Sequence, residues 1–185
     1  MPATANPLLL FTFYFLLFTL VVMFSLRPLH KESIPAALEK ANRYRLLNEP
    51  GDAESICLDI LEIEPDNQQA LITLLLAMTD RVGKGYAVGD TQIKSILERI
   101  SGDYERAYYT GIVAERQAKV RLNQGTELSR FAAYDLLCKA MEWFEKAEAM
   151  RPQGNDDAIL RWNTCARIIQ NNRLEAREEV ELGLE

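Results

Sequence analysis

The residues that could support catalysis in this chain are few and lie far apart. Gly83-Lys84-Gly85 has the glycines and the lysine of a phosphate-binding loop. A Walker loop also requires a glycine five positions before its Gly-Lys pair and a Ser or Thr directly after that pair. Met78 and Gly85 occupy those places, and the preceding segment is typical of a helix rather than a strand. We therefore expect a flexible connection between helices here, with no nucleotide site.

The cysteines and the single histidine do not form a metal site or a nucleophilic site in sequence. Cys57, Cys138 and Cys165 fall on or near apolar helical positions, where a cysteine behaves as a small hydrophobic residue. Their odd number and spacing favour free thiols in a reducing compartment. His30 is followed by Lys31 beside an apolar segment, which is typical of a solvated residue. With no paired acids, nucleophile elbow or zinc motif, we expect a non-catalytic chain without cofactors or metals.

Composition narrows the class of protein further. The chain has 185 residues, of which 48% are hydrophobic and 26% are charged, so it is not mainly disordered. Its net charge of −6 argues against a nucleic-acid partner, because binding to phosphates needs clustered Lys and Arg.

One apolar run near the amino terminus predicts a transmembrane helix. Leu8–Leu26 contains no charged residue, and as a helix its 19 residues would span about 28 Å, close to the hydrocarbon thickness of a bilayer. A cleaved secretory signal would need a basic start, which Met1–Asn6 lacks, and a small-residue cleavage site. A buried core helix of this length would be unusual in so small a domain. We expect a short tail over 1–6 and a single membrane anchor over 7–26.

The charges that flank this run predict its orientation. Arg27, Lys31, Arg43 and Arg45 follow the apolar run, and no basic residue precedes it. Positive charge favours the cytoplasmic side, so we expect the bulk of the chain in the cytoplasm.

The rest of the chain has the apolar periodicity of helices and no strand pattern of useful length. The clearest case places Ala53, Cys57 and Ile60 on one helical face, with Pro65 as the stop. Ser33 is positioned to cap the first of these helices. The fold class is therefore all-α, with helices predicted over Ile34–Leu47, Asp52–Ile63, Asn67–Arg81, Asp90–Ile100, Asp103–Asn123, Ser129–Met150 and Asn155–Gln170.

The packing positions of these helices recur along the chain. One set comprises Ala41, Tyr44, Ala53, Cys57 and Ile60 before Pro65, and a second comprises Ala140, Phe144 and Ala147 before Pro152. This pattern resembles the tetratricopeptide repeat family, whose unit is a 34-residue helix–turn–helix. The long connection before Asp90 departs from the family's tight turn. The helix that contains Ala158 and Trp162 resembles a capping helix.

The resemblance implies a TPR-like array of about three helix pairs plus a capping helix over 34–171. A linker over 27–33 would precede the array, and an acidic tail over 172–185 would follow it as a solvated helical extension or as disorder. In the family, ligands lie along the concave face made by the first helix of each pair. That placement gives the partner-binding candidates Asn42, Arg45, Tyr108, Ile112, Glu115, Arg116, Lys119, Asn163 and Arg167.

Two interpretations of these candidates stay open at this point. Residues 108, 112, 115, 116 and 119 share one helical face, which could anchor a peptide or could be a solvated face with local ion pairs. The clamp for carboxylate tails found in one TPR subfamily is not expected, because Leu38 and Leu76 occupy two of its polar places. We expect a membrane-anchored scaffold or adaptor for a protein or peptide. The alternative is a constitutive accessory subunit of a larger membrane complex.

Overall fold

A computed structural model describes residues 25–82 and 90–177 of the chain, and this part is all-α. A short 3-10 turn over Lys31–Ser33 leads into the first helix. No strand occurs in these two ranges, as the sequence predicted. The α-helices are α1 Ile34–Leu46, α2 Pro50–Ile63, α3 Gln68–Arg81, α4 Asp90–Arg99, α5 Asp103–Asn123, α6 Glu127–Ala149 and α7 Asp157–Asn172.

The start of the array differs from the prediction in two local details. Ser33 does not cap α1, because its backbone is already helical at φ −86° and its side chain makes no capping hydrogen bond. Helix α2 begins at Pro50 rather than after Gly51. A proline fits the first helical position because its missing N–H has no helical acceptor there. The predicted break between α1 and α2 is therefore shorter, and Asn48 makes the turn at φ 63°.

Two later helices begin with side-chain caps. Asn67 caps α3, and its Oδ1 accepts a hydrogen bond of 3.0 Å from the N–H of Ala70. Thr126 caps α6 in the same way, through a 3.2 Å hydrogen bond from the N–H of Ser129. Each cap satisfies one of the N–H groups that a helix start leaves without a partner. Helix α6 consequently begins two residues before the predicted Ser129.

The last helix stops where the predicted tail begins. Helix α7 ends at Asn172, and Arg173 adopts the left-handed conformation at φ 49°. The side chain of Leu174 turns back into the core. A helical continuation into the acidic tail is therefore not found over residues 173–177, and the remaining tail lies outside the described residues.

Successive helices pack as a repeat-like series in two layers. Helix α2 packs against α1 and α3, and α6 packs against α5 and α7. The odd-numbered helices also contact one another, α1 with α3, α3 with α5, and α5 with α7. The odd-numbered helices therefore share one layer, and their side chains can form a continuous surface.

Most of the buried side chains fall into two large clusters. The amino-terminal core draws on α1 to α4 and includes Ala41, Ala53, Cys57 and Leu71. The carboxyl-terminal core draws on α5 to α7 and includes Leu137, Ala140, Phe144 and Cys165. Helix α5 links the two clusters, since Val113 lies in the first, Ala114 lies in the second and the ring of Tyr109 packs against both.

Two predicted features fall outside the described part of the chain. The membrane anchor over Leu8–Leu26 lies there apart from its last two residues, and so does the glycine-rich segment 83–89. Across 25–82 and 90–177, none of the helices combines the length and the apolar character that crossing a membrane requires.

Candidate partner-binding face

Asp80 connects three odd-numbered helices near the carboxyl end of α3. Its Oδ2 accepts from Nε of Arg45 on α1 at 3.1 Å, and its Oδ1 lies 2.9 Å from Nη1 of Arg116 on α5. The same Nη1 donates to the carbonyl oxygen of Leu76 at 2.8 Å and to the hydroxyl of Thr79. The carboxylate is therefore shared between two guanidinium groups, and Arg116 ties α5 to the last turns of α3.

Arg116 is a cation in a partly desolvated place. Burial lowers its pKa below the ordinary arginine value. Asp80 and, to a smaller extent, Glu115 oppose that effect, whereas the positive charges of Arg45 and Arg161 add to it. The two carboxylates thus offset only part of the unfavourable environment of this guanidinium.

Glu115, the residue before Arg116, makes the second link across the face. Its side chain is 1% exposed, and its Oε1 lies 2.5 Å from Nζ of Lys119 and 3.4 Å from Nη1 of Arg161 on α7. A buried carboxylate needs such partners, because an isolated charge away from water is costly. Its Oε2 is buried and makes no hydrogen bond with any residue of the described ranges.

Arg161 is held from below by an aromatic cluster. Burial alone would lower its pKa, but the nearby hydroxyl of Tyr108 and the negative charge of Glu115 outweigh that effect, so the pKa is raised. The ring of Tyr108 lies 5.9 Å from that of Phe144 and stacks on Tyr104 at the same centroid distance. The carboxyl-terminal core thereby fixes the position of this cation.

Together these six side chains form what we call the ion-pair row. It crosses all four odd-numbered helices, and each of its two carboxylates lies between two cations. All four cations keep part of their side chains exposed, from 18% for Arg45 to 43% for Lys119. The members of the row are Arg45, Asp80, Glu115, Arg116, Lys119 and Arg161.

The structure brings four of the predicted binding residues into this row and places the others around it. Asn42 is exposed, and its Oδ1 accepts a 3.3 Å hydrogen bond from Thr73 on α3. Tyr108 is half-buried under Arg161, as described above. Asn163 is half-buried and Arg167 is exposed on α7, and the row includes neither of them.

Two predicted contact residues offer almost no surface to a partner. Ile112 is 3% exposed in the carboxyl-terminal core, and Glu115 is 1% exposed beneath its two cations. Helix α5 contacts α3, α6 and α7, so more of its circumference is covered than one amphipathic stripe indicates. Ile112 supports the face from within, and Glu115 serves as an internal counterion.

Sequence reasoning missed Asp80 and Arg161. The local spacing of Glu115 and Lys119 is visible in the sequence as an i, i+4 pair. Asp80 is 35 residues from Arg45, and Arg161 is 46 residues from Glu115, so no local pattern links them. Only the contacts between odd-numbered helices bring these residues together.

Comparison with known proteins adds no family assignment. No family model, curated protein or solved structure matches the chain.

The three thiols are free, and Cys57 and Cys165 are buried. Within the described ranges, no three His, Cys, Asp or Glu side chains cluster as metal ligands.

Proposed function

We propose that the protein is a membrane-anchored, non-catalytic helical scaffold that binds a protein or peptide partner along the face of α1, α3, α5 and α7. The observation that carries this proposal is the ion-pair row. Charged side chains on a surface usually remain solvated and separate, and isolated exposed pairs contribute little to stability. Here they form two ion-pair groups that together involve four helices, and their cations are still partly exposed, as in a prepared recognition surface.

The anchor and the repeat type belong to the same proposal. The apolar run Leu8–Leu26 would hold the chain in the membrane, with the helical part in the cytoplasm. The two-layer series of helices fits a TPR-like array, in which stacked pairs present an extended binding surface. Such an array recruits partners by geometry and charge, and it needs neither a cofactor nor a reactive group.

Affinity purification from native membranes tests the proposal. The full-length chain, tagged and extracted in mild detergent, is compared with Lys119→Ala and Arg161→Ala, which remove exposed cations of the row. Arg43→Ala is the matched control, because it removes an equally charged residue whose ion pair with Glu39 lies within α1. We expect a partner that is retained by the wild type and the control and is depleted by both row variants.

The outcome against the proposal is equally specific. If every co-purifying protein is recovered equally with the row variants, the face does not bind the partner. Native electrophoresis of the same extract separates a free adaptor from a fixed accessory subunit, because the subunit would migrate only with its complex. A reporter fused to the carboxyl terminus checks the membrane orientation.

A further inference from the structure

The guanidinium of Arg116 uses only one of its nitrogens in the ion-pair row. Within the described part of the chain, its hydrogen bonds to Leu76 and Thr79 and its ion pair with Asp80 all involve Nη1. Its Nε and Nη2 have no hydrogen-bond partner among the residues that the structure describes, and the side chain is 22% exposed. These two N–H groups point to the same side of the planar guanidinium, and their spacing matches the two oxygens of one carboxylate.

The row as a whole has a positive surplus in a chain of net negative charge. Four cations and two carboxylates meet there, which leaves two positive charges unmatched within the described part of the chain. The neighbouring pair of Arg81 and Glu54 is neutral in itself and does not change the balance. Because these cations are partly desolvated, an added anion would interact with them more strongly than with exposed lysines elsewhere.

The two unmatched positive charges belong to two neighbouring ion-pair groups. Arg45 and Arg116 share Asp80, and Lys119 and Arg161 share Glu115. Each group therefore has one unmatched positive charge. The two groups are close to each other, since the charges of Glu115 and Arg161 both act on the guanidinium of Arg116. Two unmatched charges in separate groups can each pair with one carboxylate of a peptide, whereas one compact, doubly charged anion would need both charges in a single group.

We propose that the ion-pair row recognises an acidic segment of the partner. One Asp or Glu carboxylate of this segment binds Nε and Nη2 of Arg116, and another binds between Lys119 and Arg161. This inference rests on the proposed function, because it assumes that the partner binds on the odd-numbered helices. It adds the chemistry of the partner, an extended peptide with acidic side chains.

Fluorescence anisotropy with a designed probe tests this chemistry. The probe is a labelled peptide of alternating Ala and Glu, and its matched control has Gln in place of every Glu. With the full-length protein in neutral detergent, we expect the Glu peptide to bind and to weaken as salt is added, and the Gln peptide not to bind. Equal binding of both peptides would overturn the proposal.

Substitutions in the row then test whether the Glu peptide binds Arg116 and Lys119. Arg116→Lys keeps the charge but removes the two-pronged geometry, and we expect it to weaken binding of the Glu peptide about tenfold. Lys119→Gln removes a cation that is 43% exposed but keeps an amide that can donate to Glu115, so it should weaken binding while the protein stays folded. Arg43→Gln should leave binding unchanged. Thermal unfolding of each variant confirms that the compared proteins are folded. Unchanged affinity in both row variants contradicts the assignment.

Competition identifies the anion. Glutarate and inorganic phosphate, at equal ionic strength, compete with the bound Glu peptide, and we expect glutarate to displace it more effectively. More effective displacement by phosphate would show a phosphate site and overturn the inference. If the Glu peptide fails to bind while the native partner still depends on Lys119 and Arg161, only the acidic chemistry is wrong. If recovery of the native partner also does not depend on Lys119 and Arg161, the proposed function itself fails.

Discussion

The amino-terminal hairpin of α1 and α2 and the carboxyl-terminal hairpin of α5 and α6 are packed with different side chains. Ala41, Ala53 and Cys57 are all fully buried in the first hairpin. In the second, the backbone of Gly111 lies against the fully buried ring of Phe144. The first core is therefore assembled from small and aliphatic residues, and the second depends on one large ring.

This contrast extends to what each core supports. The aromatic residues around Phe144 include Tyr104, Tyr108 and Trp162, and Tyr108 contacts Arg161 of the ion-pair row. The amino-terminal core supplies α3, whose last turns hold Arg116 through Asp80 and two further oxygens. An aromatic cluster thus positions Arg161 on α7, whereas an aliphatic core positions Asp80 on α3, the counterion of Arg45 and Arg116.

The largest expected effect comes from removing the ring that distinguishes the two cores. Phe144→Ala should destabilise the protein by about 3–5 kcal/mol, because a buried aromatic side chain leaves a cavity that its neighbours cannot fill. Ile60→Val, a small truncation at a fully buried position of α2, should cost only about 0.5–1.5 kcal/mol. Urea unfolding monitored by circular dichroism compares them. Equal losses would mean that the ring is not central to its core.

A single added methyl group should affect the stability of the protein differently in the two hairpins. A Cβ at Gly111 would lie 2.6 Å from Cε1 of Phe144, so Gly111→Ala should cost about 1–3 kcal/mol. A Cβ at Gly51 in α2 would meet nothing within 4 Å. Gly51→Ala should therefore be neutral or should stabilise the helix by up to about 1 kcal/mol. Thermal melting of the two variants is the measurement, and a shift in the same direction for both would contradict this contrast.

Removing the helix caps of the two halves should give a smaller difference in the free energy of unfolding, and this difference should depend on pH. Asn67→Ala and Thr126→Ala should each cost about 1 kcal/mol, because each variant leaves a helix N–H without its acceptor. Asn67 also donates from Nδ2 to Glu64 at 2.9 Å, and this hydrogen bond is the largest cause of the lowered pKa of that carboxyl. At neutral pH, Asn67→Ala should therefore be the more costly variant.

The sign of the pH dependence follows from that lowered pKa. A carboxyl with a depressed pKa in the folded state contributes stability above its unfolded pKa, and this contribution is lost as pH falls through the folded value. The excess cost of Asn67→Ala over Thr126→Ala should accordingly disappear in acid. Urea unfolding of both variants across this range is the test, and a constant difference would exclude Glu64 as its source.

The helices were largely predictable because their signals are local. The predicted boundaries of α5, Asp103–Asn123, agree with the structure, and the long apolar periodicity between Gly102 and Gly125 explains why. The predicted start of α2 at Asp52 is two residues late, because a proline such as Pro50 fits the first helical turn. The cap at Ser33 was wrong because a 3-10 turn ends there.

The candidate site was only half predictable, for a reason of distance along the chain. Arg45, Glu115, Arg116 and Lys119 were predicted from the concave-face positions that the resemblance to the TPR family implies. Their cross-helix partners Asp80 and Arg161 depend on which helices adjoin in space, and helical periodicity contains no such information. The burial of Ile112 has the same origin, because it depends on contacts between α5 and several other helices.

The smallest expected effect on stability at neutral pH is that of thiol ionisation, which concerns one cysteine in each core. Burial raises the pKa of Cys57 in the amino-terminal core and of Cys165 in the carboxyl-terminal core from 9.0 to about 12. A raised pKa means that the folded state prefers the neutral thiol, so this stability is complete below 9.0 and is lost as pH rises toward 12. Cys57→Ala and Cys165→Ala should each flatten the decline of the unfolding free energy over that range, as measured by urea unfolding. If the two halves unfold together, the two variants should flatten it equally. An effect of only one variant would show that the halves unfold separately, and an effect of neither would contradict the raised pKa values.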